Sequence, residues 1–252
     1  MKRTILITGA TSGFGKAIAL KFAQSVDKLV ITGRRLDRLV ELKKEIESDH
    51  SCKVVVSCFD VRDRSEVEAA VKALPSSHAQ IDVLVNNAGL ASGLDKLQDG
   101  HIDNWDTMID TNVKGLLYVS KAIIPSMVER KAGHIINIGS TAGKEVYEKG
   151  NVYCATKHAV DAISKAMRID LLEAGIKVTQ ISPGAAETEF SEVRFHGDKE
   201  RAKNAYQGYK PMSADDIAML ADFAIHLPPH LCINDMVVTS LAQANSFYIH
   251  RN

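Results

Sequence analysis

Hydrophobic residues along this chain occur in two kinds of segment that alternate. Short apolar runs rich in β-branched residues, such as those at 5–7 and 83–85, lack the polar alternation of a half-exposed strand. Uninterrupted apolar character of this length is typical of strands buried on both faces of a sheet. The pattern predicts seven strands, at residues 4–8, 29–32, 53–57, 83–85, 134–138, 177–181 and 236–239.

Longer segments with the helical spacing of apolar residues lie between these strands. They predict helices at residues 13–25, 36–48, 65–73, 105–129, 152–172 and 214–226. Strands that alternate with helices form right-handed crossovers, and repeated crossovers give a doubly wound sheet with helices on both faces. We therefore predict a single α/β domain over residues 1–252, with a seven-stranded parallel sheet that binds its ligand at the carboxyl ends of the strands.

Residues 183–211 form the one long stretch without a regular pattern. This stretch is charged and contains glycine. Irregular segments of such length inside a compact domain are usually functional. We predict that residues 183–211 are a lid over the site.

Composition and charge point to a small-molecule partner. The chain has 252 residues, of which 45% are hydrophobic, enough for one sizeable core. Lys+Arg and Asp+Glu both number 31, so no overall field attracts nucleic acid or a membrane surface. No window approaches the roughly 18 apolar residues of a membrane helix, and the apolar N-terminal stretch is too short for a signal peptide. We therefore expect neither a nucleic-acid nor a membrane partner.

The cysteines are typical of a cytoplasmic enzyme with reduced thiols. They lie far apart, and no two of them form a CxxC pair. We predict a cytoplasmic location and no disulfide among Cys52, Cys58, Cys154 and Cys232.

One histidine pair has the spacing of a helical metal site. His226 and His230 are four residues apart, but Pro228 and Pro229 between them would break the helix that could align them. We therefore predict no metal site.

A glycine-rich run follows the first predicted strand. Residues 8–15 are TGATSGFG, and an amphipathic segment follows at once. A strand that ends in glycines and restarts as a helix directs unpaired N–H groups at one point, where a pyrophosphate can bind. The spacing GxxxGxG departs from the GxGxxG fingerprint, so a tight turn without a ligand remains an alternative.

The end of the second strand bears on which dinucleotide could bind. An acidic residue at this position of a dinucleotide-binding fold selects NAD, whereas arginine accommodates the 2′-phosphate of NADP. Here Gly33 takes the place of the acid, and Arg34 and Arg35 follow it, which favours NADP(H). The alternative is that both arginines are solvated residues at the start of the next helix, where cations are unfavourable.

Tyr153 and Lys157 lie four residues apart in a helical segment and therefore share a face. A phenol with a pKa of ~10 becomes a useful base only if its pKa falls by about three units, which takes roughly 4 kcal/mol. An ammonium within ~4 Å supplies that amount at an effective dielectric constant near 20. Taken alone, such a pair is more often a surface contact.

Four motifs in order identify a family resemblance. They are TGxxxGxG at 8–15, NNAG at 86–89, Ser140 after the fifth strand, and YxxxK at 153–157. In this combination and order, residues 4 to about 188 resemble the short-chain dehydrogenases/reductases. The resemblance implies a single-domain Rossmann fold and an enzyme that moves a hydride between a nicotinamide cofactor and an alcohol or carbonyl.

The resemblance also implies four catalytic roles. Tyr153 would exchange a proton with the substrate oxygen, and Lys157 would lower the pKa of Tyr153 and hold the cofactor ribose. Ser140 would hydrogen-bond the same substrate oxygen, and Asn112 would position a water in the proton relay. The serine lies in the sequence GSTAG rather than in a GxSxG elbow, which disfavours a serine hydrolase.

Cofactor contacts follow from the same motifs. By resemblance, Asp60 and Val61 would flank the adenine, and residues 183, 184 and 188 would touch the nicotinamide end. The predicted NADP(H)-binding residues are Gly9, Thr11, Ser12, Gly13, Phe14, Gly15, Arg34, Arg35, Asp60, Val61, Asn87, Ala88, Gly89, Tyr153, Lys157, Pro183, Gly184 and Thr188.

Residues 183–198 and the region around Asn234 resemble the branch that acts on small 3-hydroxy acids, the NADP-dependent serine and 3-hydroxypropionate dehydrogenases. Arg194 in this segment is predicted to clamp the substrate carboxylate, because a guanidinium matches a carboxylate bidentately. Substrate contacts are thus expected at Ser140, Tyr153 and Arg194. The alternative is that Arg194 is a solvated arginine that pairs with an acidic residue of the lid, Glu189, Glu192 or Asp198.

The sequence leaves other functions open and predicts an oligomer. The chain could instead reduce another small carbonyl or a ketoacyl thioester, or sense NADP(H) without turnover, because a fold does not imply a function. The helices at 105–129 and 152–172 carry more apolar positions than one face packed on a sheet needs. Since family members commonly pair these helices across a two-fold axis, we predict a homotetramer.

Overall fold

The computed structural model describes residues 3–252, so the first two residues of the predicted domain lie outside the described residues. Its strands form one seven-stranded sheet in the order β3-β2-β1-β4-β5-β6-β7, and every neighbouring pair is parallel. This confirms the predicted sheet, with small shifts at the strand ends. The strands are β1 Thr4–Ile7, β2 Lys28–Gly33, β3 Lys53–Cys58, β4 Val83–Asn86, β5 His134–Ile138, β6 Lys177–Pro183 and β7 Asp235–Val238.

Helices cover both faces of the sheet, as the uninterrupted apolar strands require. Along β1, Ile5 and Ile7 belong to the core on one face, while Leu6 between them belongs to the core on the other. Successive side chains of a strand point to opposite faces, so an apolar run fills both cores at once. The helices are α1 Gly13–Ala23, α2 Leu36–Asp49, α3 Arg64–Lys72, α4 Ile102–Ile109, α5 Leu116–Arg130, α6 Asn151–Asp170, α7 Phe190–Arg194, α8 Lys199–Asn204 and α9 Ala214–Ile225.

The predicted continuous helix at 105–129 is wrong in two respects. It begins earlier, at Ile102. The side chain of Ile102 is 60% exposed and therefore does not belong to the buried face of the helix. It is also interrupted by a π-helical turn, Asp110–Gly115, between α4 and α5. Side-chain periodicity does not report a local change from i→i+4 to i→i+5 hydrogen bonding, and such turns are frequent at functional sites.

The predicted lid at 183–211 is less irregular than expected. It contains α7 and α8, and a bridge between Ala186 and Met212 ties its two ends together. The side chain of Asp198 accepts a hydrogen bond from the Arg201 N–H and so caps α8. Helices this short carry too little periodic signal to be predicted from apolar spacing.

The motifs meet at one edge of the sheet because the strands are parallel. The loops that follow β1, β2, β3, β4 and β5 carry the glycine-rich turn, the arginine pair, Asp60, NNAG and Ser140, respectively. The strand order departs in opposite directions from the neighbours β1 and β4, and ligands bind at such switch points. Over residues 3–252, no helix is long and apolar enough to span a membrane.

Candidate active site

A cleft of about 310 Å³ opens at the carboxyl ends of the strands. The predicted cofactor residues that line it are Gly9, Thr11, Ser12, Gly13, Phe14, Arg34, Arg35, Asp60, Val61, Asn87, Ala88, Gly89, Tyr153, Lys157 and Thr188. Gly15, Pro183 and Gly184 were also predicted but do not line it. The structure adds Gly33, Phe59, Leu90, Thr111, Ile138, Gly139, Glu189, Phe190 and Val193.

The glycine-rich turn has the geometry of an anion site. Gly9 and Gly13 have φ angles of +67° and +51°, a region that favours glycine. A Cβ on Gly15 would lie 2.3 Å from the carbonyl oxygen of Gly9, so only glycine fits there. Among the described residues, no group accepts from the N–H of Gly13, Phe14 or Gly15, and the Ser12 side chain does not cap α1. The start of α1 can therefore hold a pyrophosphate.

NNAG supports this turn from the neighbouring strand. The side-chain amide of Asn87 donates to the carbonyl oxygens of Thr8 and Gly9, at 2.8 and 3.1 Å. The hydroxyl of Thr8 in turn accepts from the N–H groups of Asn87 and Ala88, both at 3.0 Å. Asn87 therefore fixes the backbone on which the phosphate site depends.

The two arginines after β2 lie in different environments. Arg35 donates to the hydroxyl groups of Thr11 and Ser12, so its guanidinium rests on the glycine-rich turn. Arg34 is more exposed and lies 3.6 Å from a carboxylate oxygen of Asp60. A Cβ on Gly33 would come within 2.7 Å of the Thr11 methyl group, so an acidic residue there would displace Thr11. This end of the cleft presents cations and hydroxyl donors, which fit a phosphate.

Tyr153 and Lys157 both lie on the buried face of α6 and are almost inaccessible, at 8% and 7% exposure. Burial raises the pKa of Tyr153, and the neighbouring Tyr147 adds to that effect. Arg194 and the neighbouring Ser140 hydroxyl oppose that rise. Burial also lowers the pKa of Lys157 to about 8. The Lys157 ammonium donates to the carbonyl oxygen of Ile138 at 2.9 Å.

Ser140 follows β5 and begins a short 3₁₀ turn. Its hydroxyl accepts from the Ala142 N–H at 3.1 Å and lies 3.4 Å from the carbonyl oxygen of Pro183. Pro183 is therefore next to Ser140. Gly184 packs against Gln243, and a Cβ on Gly184 would lie 2.2 Å from the side-chain Oε1 of Gln243. Contact of Pro183 and Gly184 with a nicotinamide stays a prediction.

Asn112 is buried in the π-helical turn. Its carbonyl oxygen accepts from the Leu90 N–H, and its amide donates to the Leu90 carbonyl and the Thr156 hydroxyl, at 2.8, 2.8 and 3.0 Å. The side chain thus holds the loop after NNAG against α6. Its place in a proton relay stays a prediction.

Arg194 is surrounded by aromatic rings. Its guanidinium carbon lies 5.5, 5.2 and 5.9 Å from the ring centres of Tyr147, Tyr153 and Phe190. It donates to the Tyr147 hydroxyl at 2.5 Å and lies 3.4 Å from the Gly93 carbonyl oxygen. In the part of the chain that the structure describes, Arg194 forms no ion pair with any acidic residue of the lid.

One of the three acidic residues that were named as alternative partners of Arg194 binds elsewhere. Glu189 pairs with Arg35 and Arg38, at 3.2 and 2.8 Å. Neither this pairing nor the role of Tyr147 was predicted. Tyr147 lies in a loop without periodicity, and a charged residue such as Arg38 is typical of any solvated helix. No local pattern in the sequence therefore predicted a role for either residue.

Comparison with known proteins agrees with this geometry. The model of the short chain dehydrogenase family matches residues 3–199. The NADP-dependent 3-hydroxy acid dehydrogenase of Salmonella typhi is 44% identical over 250 residues, covering 98% of this chain and 99% of that protein. Sulfoacetaldehyde reductase 2 of Chromohalobacter salexigens is 41% identical over 254 residues, covering 100% of both chains.

A solved structure extends the likeness to three dimensions. The closed form of a serine dehydrogenase complexed with NADP+ superposes with a TM-score of 0.93 at 43% identity, covering 99% of this chain and 100% of that one. The sheet order, the glycine-rich turn and the buried tyrosine and lysine of α6 all agree with the family match. The chain therefore belongs to the short-chain dehydrogenase family.

Proposed function

We propose that this protein is an NADP(H)-dependent oxidoreductase that acts on a small 3-hydroxy acid, of the serine, allo-threonine or 3-hydroxypropionate type, or on the matching semialdehyde. The observation that carries the proposal is the guanidinium of Arg194 packed on the ring of Tyr153. A cation beside the proposed proton donor can bind an acid group that lies a short distance from the reacting carbon. We place the protein in the cytoplasm as a homotetramer.

NADP(H) is the cofactor that this cleft fits. The unpaired N–H groups at the start of α1 would hold the pyrophosphate, and Arg34 and Arg35 would hold the 2′-phosphate. Two similar proteins are named for NADP, the Salmonella dehydrogenase and the serine dehydrogenase complex. When bound, NADP(H) supplies or accepts the hydride.

The protein's own groups would handle the proton and orient the substrate. Ser140 and Tyr153 would both hydrogen-bond the substrate oxygen, and Tyr153 would move the proton to or from it. Lys157 is anchored on the Ile138 carbonyl in the wall of the cleft, where it would hold the cofactor ribose. Because Tyr153 and Lys157 are buried, bulk solvent has little access to these two side chains.

Arg194 would select substrates that carry an acid group. Its Nη2 is bound to Tyr147 and its Nε faces Gly93, while over the described residues Nη1 has no hydrogen-bond partner. A carboxylate could therefore bind at Nη1 and at the Tyr147 hydroxyl, which is free to donate. Tyr147 would then orient Arg194 and contact the substrate as well.

A sulfonate is a second acid group that the substrate could carry. The relative from Chromohalobacter is named a sulfoacetaldehyde reductase. Sulfoacetaldehyde carries a sulfonate where the short acids above carry a carboxylate. A guanidinium binds either anion. A short carbonyl compound with a sulfonate is therefore the second candidate substrate.

The experiment is a substrate panel with both nicotinamide cofactors, followed by nicotinamide absorbance. We expect oxidation of serine, allo-threonine, 3-hydroxyisobutyrate or 3-hydroxypropionate with NADP+, and little of 1,3-propanediol, which has the same length as 3-hydroxypropionate but no acid group. Isethionate tests the sulfonate candidate, and a ketoacyl thioester with NADPH tests the thioester alternative. Failure of every short acid would contradict the proposal, and binding of NADPH without turnover of any substrate would favour a sensor.

A further inference from the structure

Glu189, at the start of the lid, joins the lid to two arginines on the opposite side of the cleft. One carboxylate oxygen lies 3.2 Å from Nη1 of Arg35, and Arg38 contacts both carboxylate oxygens, at 2.8 and 3.0 Å. The two arginines are 151 or more residues away in sequence. Each of the three side chains is about two-fifths exposed.

Arg35 is shared between the lid and the phosphate end of the cleft. Its Nε and Nη2 groups donate to Thr11 and Ser12 in the glycine-rich turn, and both Arg35 and Glu189 line the cleft. Arg38 does not line the cleft. A 2′-phosphate held by Arg35 would therefore contact the same guanidinium as the carboxylate of Glu189.

Glu189 carries a negative charge at neutral pH. Although burial alone would raise its pKa, the hydrogen bonds from Arg38 and Arg35 hold the pKa of Glu189 below its usual range. A phosphate adds close to two further negative charges at the same guanidinium. Like charges at such a site repel, and both anions would share the guanidinium of Arg35.

We propose that Glu189 is a specificity-determining residue, which weakens the preference for NADP(H) over NAD(H) by competing with the 2′-phosphate for Arg35. The inference rests on the NADP(H) binding of the proposed function. NAD(H) has no 2′-phosphate and leaves the Glu189–Arg35 pair intact, whereas NADP(H) draws Arg35 away and leaves Glu189 on Arg38. The coupling is reciprocal, so the phosphate also loosens the hold of Arg35 on the lid.

The test is a binding measurement, which separates this effect from catalysis and from a general effect of the lid. Dissociation constants for NADPH and NADH are obtained by fluorescence titration for the wild type and for Glu189→Gln. Any change in lid closure affects both cofactors and cancels in the ratio of Kd for NADH to Kd for NADPH. We expect Glu189→Gln to raise that ratio about three- to tenfold, because the freed arginine hydrogen bond goes to the phosphate.

Two further variants complete the design. Glu192→Gln is the matched control, since Glu192 is an exposed acidic residue of α7, the helix that Glu189 precedes, and its carboxylate makes no ion pair within residues 3–252. Its ratio should stay at the wild-type value. Arg38→Gln leaves Glu189 with Arg35 alone and should lower the ratio.

An unchanged or lower ratio in Glu189→Gln would overturn the inference while leaving the proposed function intact. An equal rise in Glu192→Gln would also overturn it, because the effect would then be one of overall lid charge. If the wild type bound neither NADPH nor NADH, the proposed function itself would fail, and this inference with it.

Discussion

The guanidinium of Arg194 lies 5.2 Å from the ring centre of Tyr153, so a lid cation contacts the proposed proton donor directly. Burial raises the pKa of Tyr153, and the positive charge of Arg194 opposes this rise. A cation over an aromatic face is also held there by the ring quadrupole. One arginine can therefore favour the phenolate and bind the substrate acid group.

Replacement of Arg194 tests acid recognition. In Arg194→Met, kcat/KM for a 3-hydroxy acid should fall by a factor equivalent to ~2–4 kcal/mol of transition-state stabilisation, because the substrate carboxylate loses its partner in a closed site. The neutral 1,3-propanediol should lose much less. Arg201→Met is the matched control, since Arg201 stacks on Phe195 in the same lid and is exposed. An equal loss for acid and diol in Arg194→Met would show that acid recognition lies elsewhere.

Removal of the Tyr153 hydroxyl tests the proton transfer. Tyr153→Phe should keep the packing of the ring against Phe190, at 5.6 Å between centres, and retain NADPH binding. Turnover should fall by ~100-fold or more, the scale on which a general acid or base contributes. Circular dichroism and NADPH titration verify the fold and the cofactor site. Near-normal turnover in a verified sample would refute the role of Tyr153.

Lys157 should reduce stability at neutral pH. The pKa of this buried ammonium is lowered to about 8, so the folded state disfavours the proton that the unfolded chain holds up to about pH 10. Below about pH 8 this cost is present in full, and it disappears as the pH rises from about 8 towards 10. Lys157→Met should therefore raise the free energy of unfolding at pH 7 by about 1–3 kcal/mol while it lowers turnover.

Denaturant unfolding of the wild type and Lys157→Met at pH 7 and pH 9.5 measures this difference. The gain should be larger at pH 7. Lys144→Met is a contrasting variant, because Lys144 is paired with Asp161 and Asp235, and its pKa is raised despite the opposing effect of burial. That variant should be destabilised at pH 7. A loss of stability in Lys157→Met at pH 7 would contradict the argument.

Arg34 and Arg35 should select the cofactor. The double variant Arg34→Ala plus Arg35→Ala should lower the ratio of kcat/KM with NADP+ to that with NAD+ by about one to two orders of magnitude per arginine. Steady-state kinetics with both cofactors measure the ratio. A wild type that prefers NAD+, or a ratio that the double variant leaves unchanged, would contradict the assignment.

The apolar surface supports the expected homotetramer. Ile109, Leu117 and Val128 on the α4–α5 segment are 40–42% exposed, and Ile169 on α6 is 76% exposed. Apolar residues on these two helices can be covered by a second copy across a two-fold axis. Light scattering at micromolar concentration should report four chains. A monomer at that concentration would refute the prediction.

The sequence alone determined the seven strands, most of the long helices between them and the order of the motifs along the chain. The runs at 5–7 in β1 and 83–85 in β4 are apolar at every position, and apolar residues of the covering helices recur with a period of about 3.6 residues, so local patterns were sufficient. The glycine-rich turn was also predictable, because the positive φ angles of Gly9 and Gly13 strongly favour glycine. The catalytic residues were identified by motif order within a family resemblance.

Only the tertiary structure decided which charged side chains share a partner. Arg194 was predicted to clamp the substrate carboxylate, with a nearby acidic residue as the alternative partner. Within residues 3–252 it forms no such ion pair and packs on Tyr147 and Tyr153, whereas Glu189 pairs across the cleft with Arg35. The residues of the last pair are 154 positions apart. Their contact depends on how residues 183–211 return over the ends of the strands, and a polar residue in a loop has no periodic pattern that reports this path.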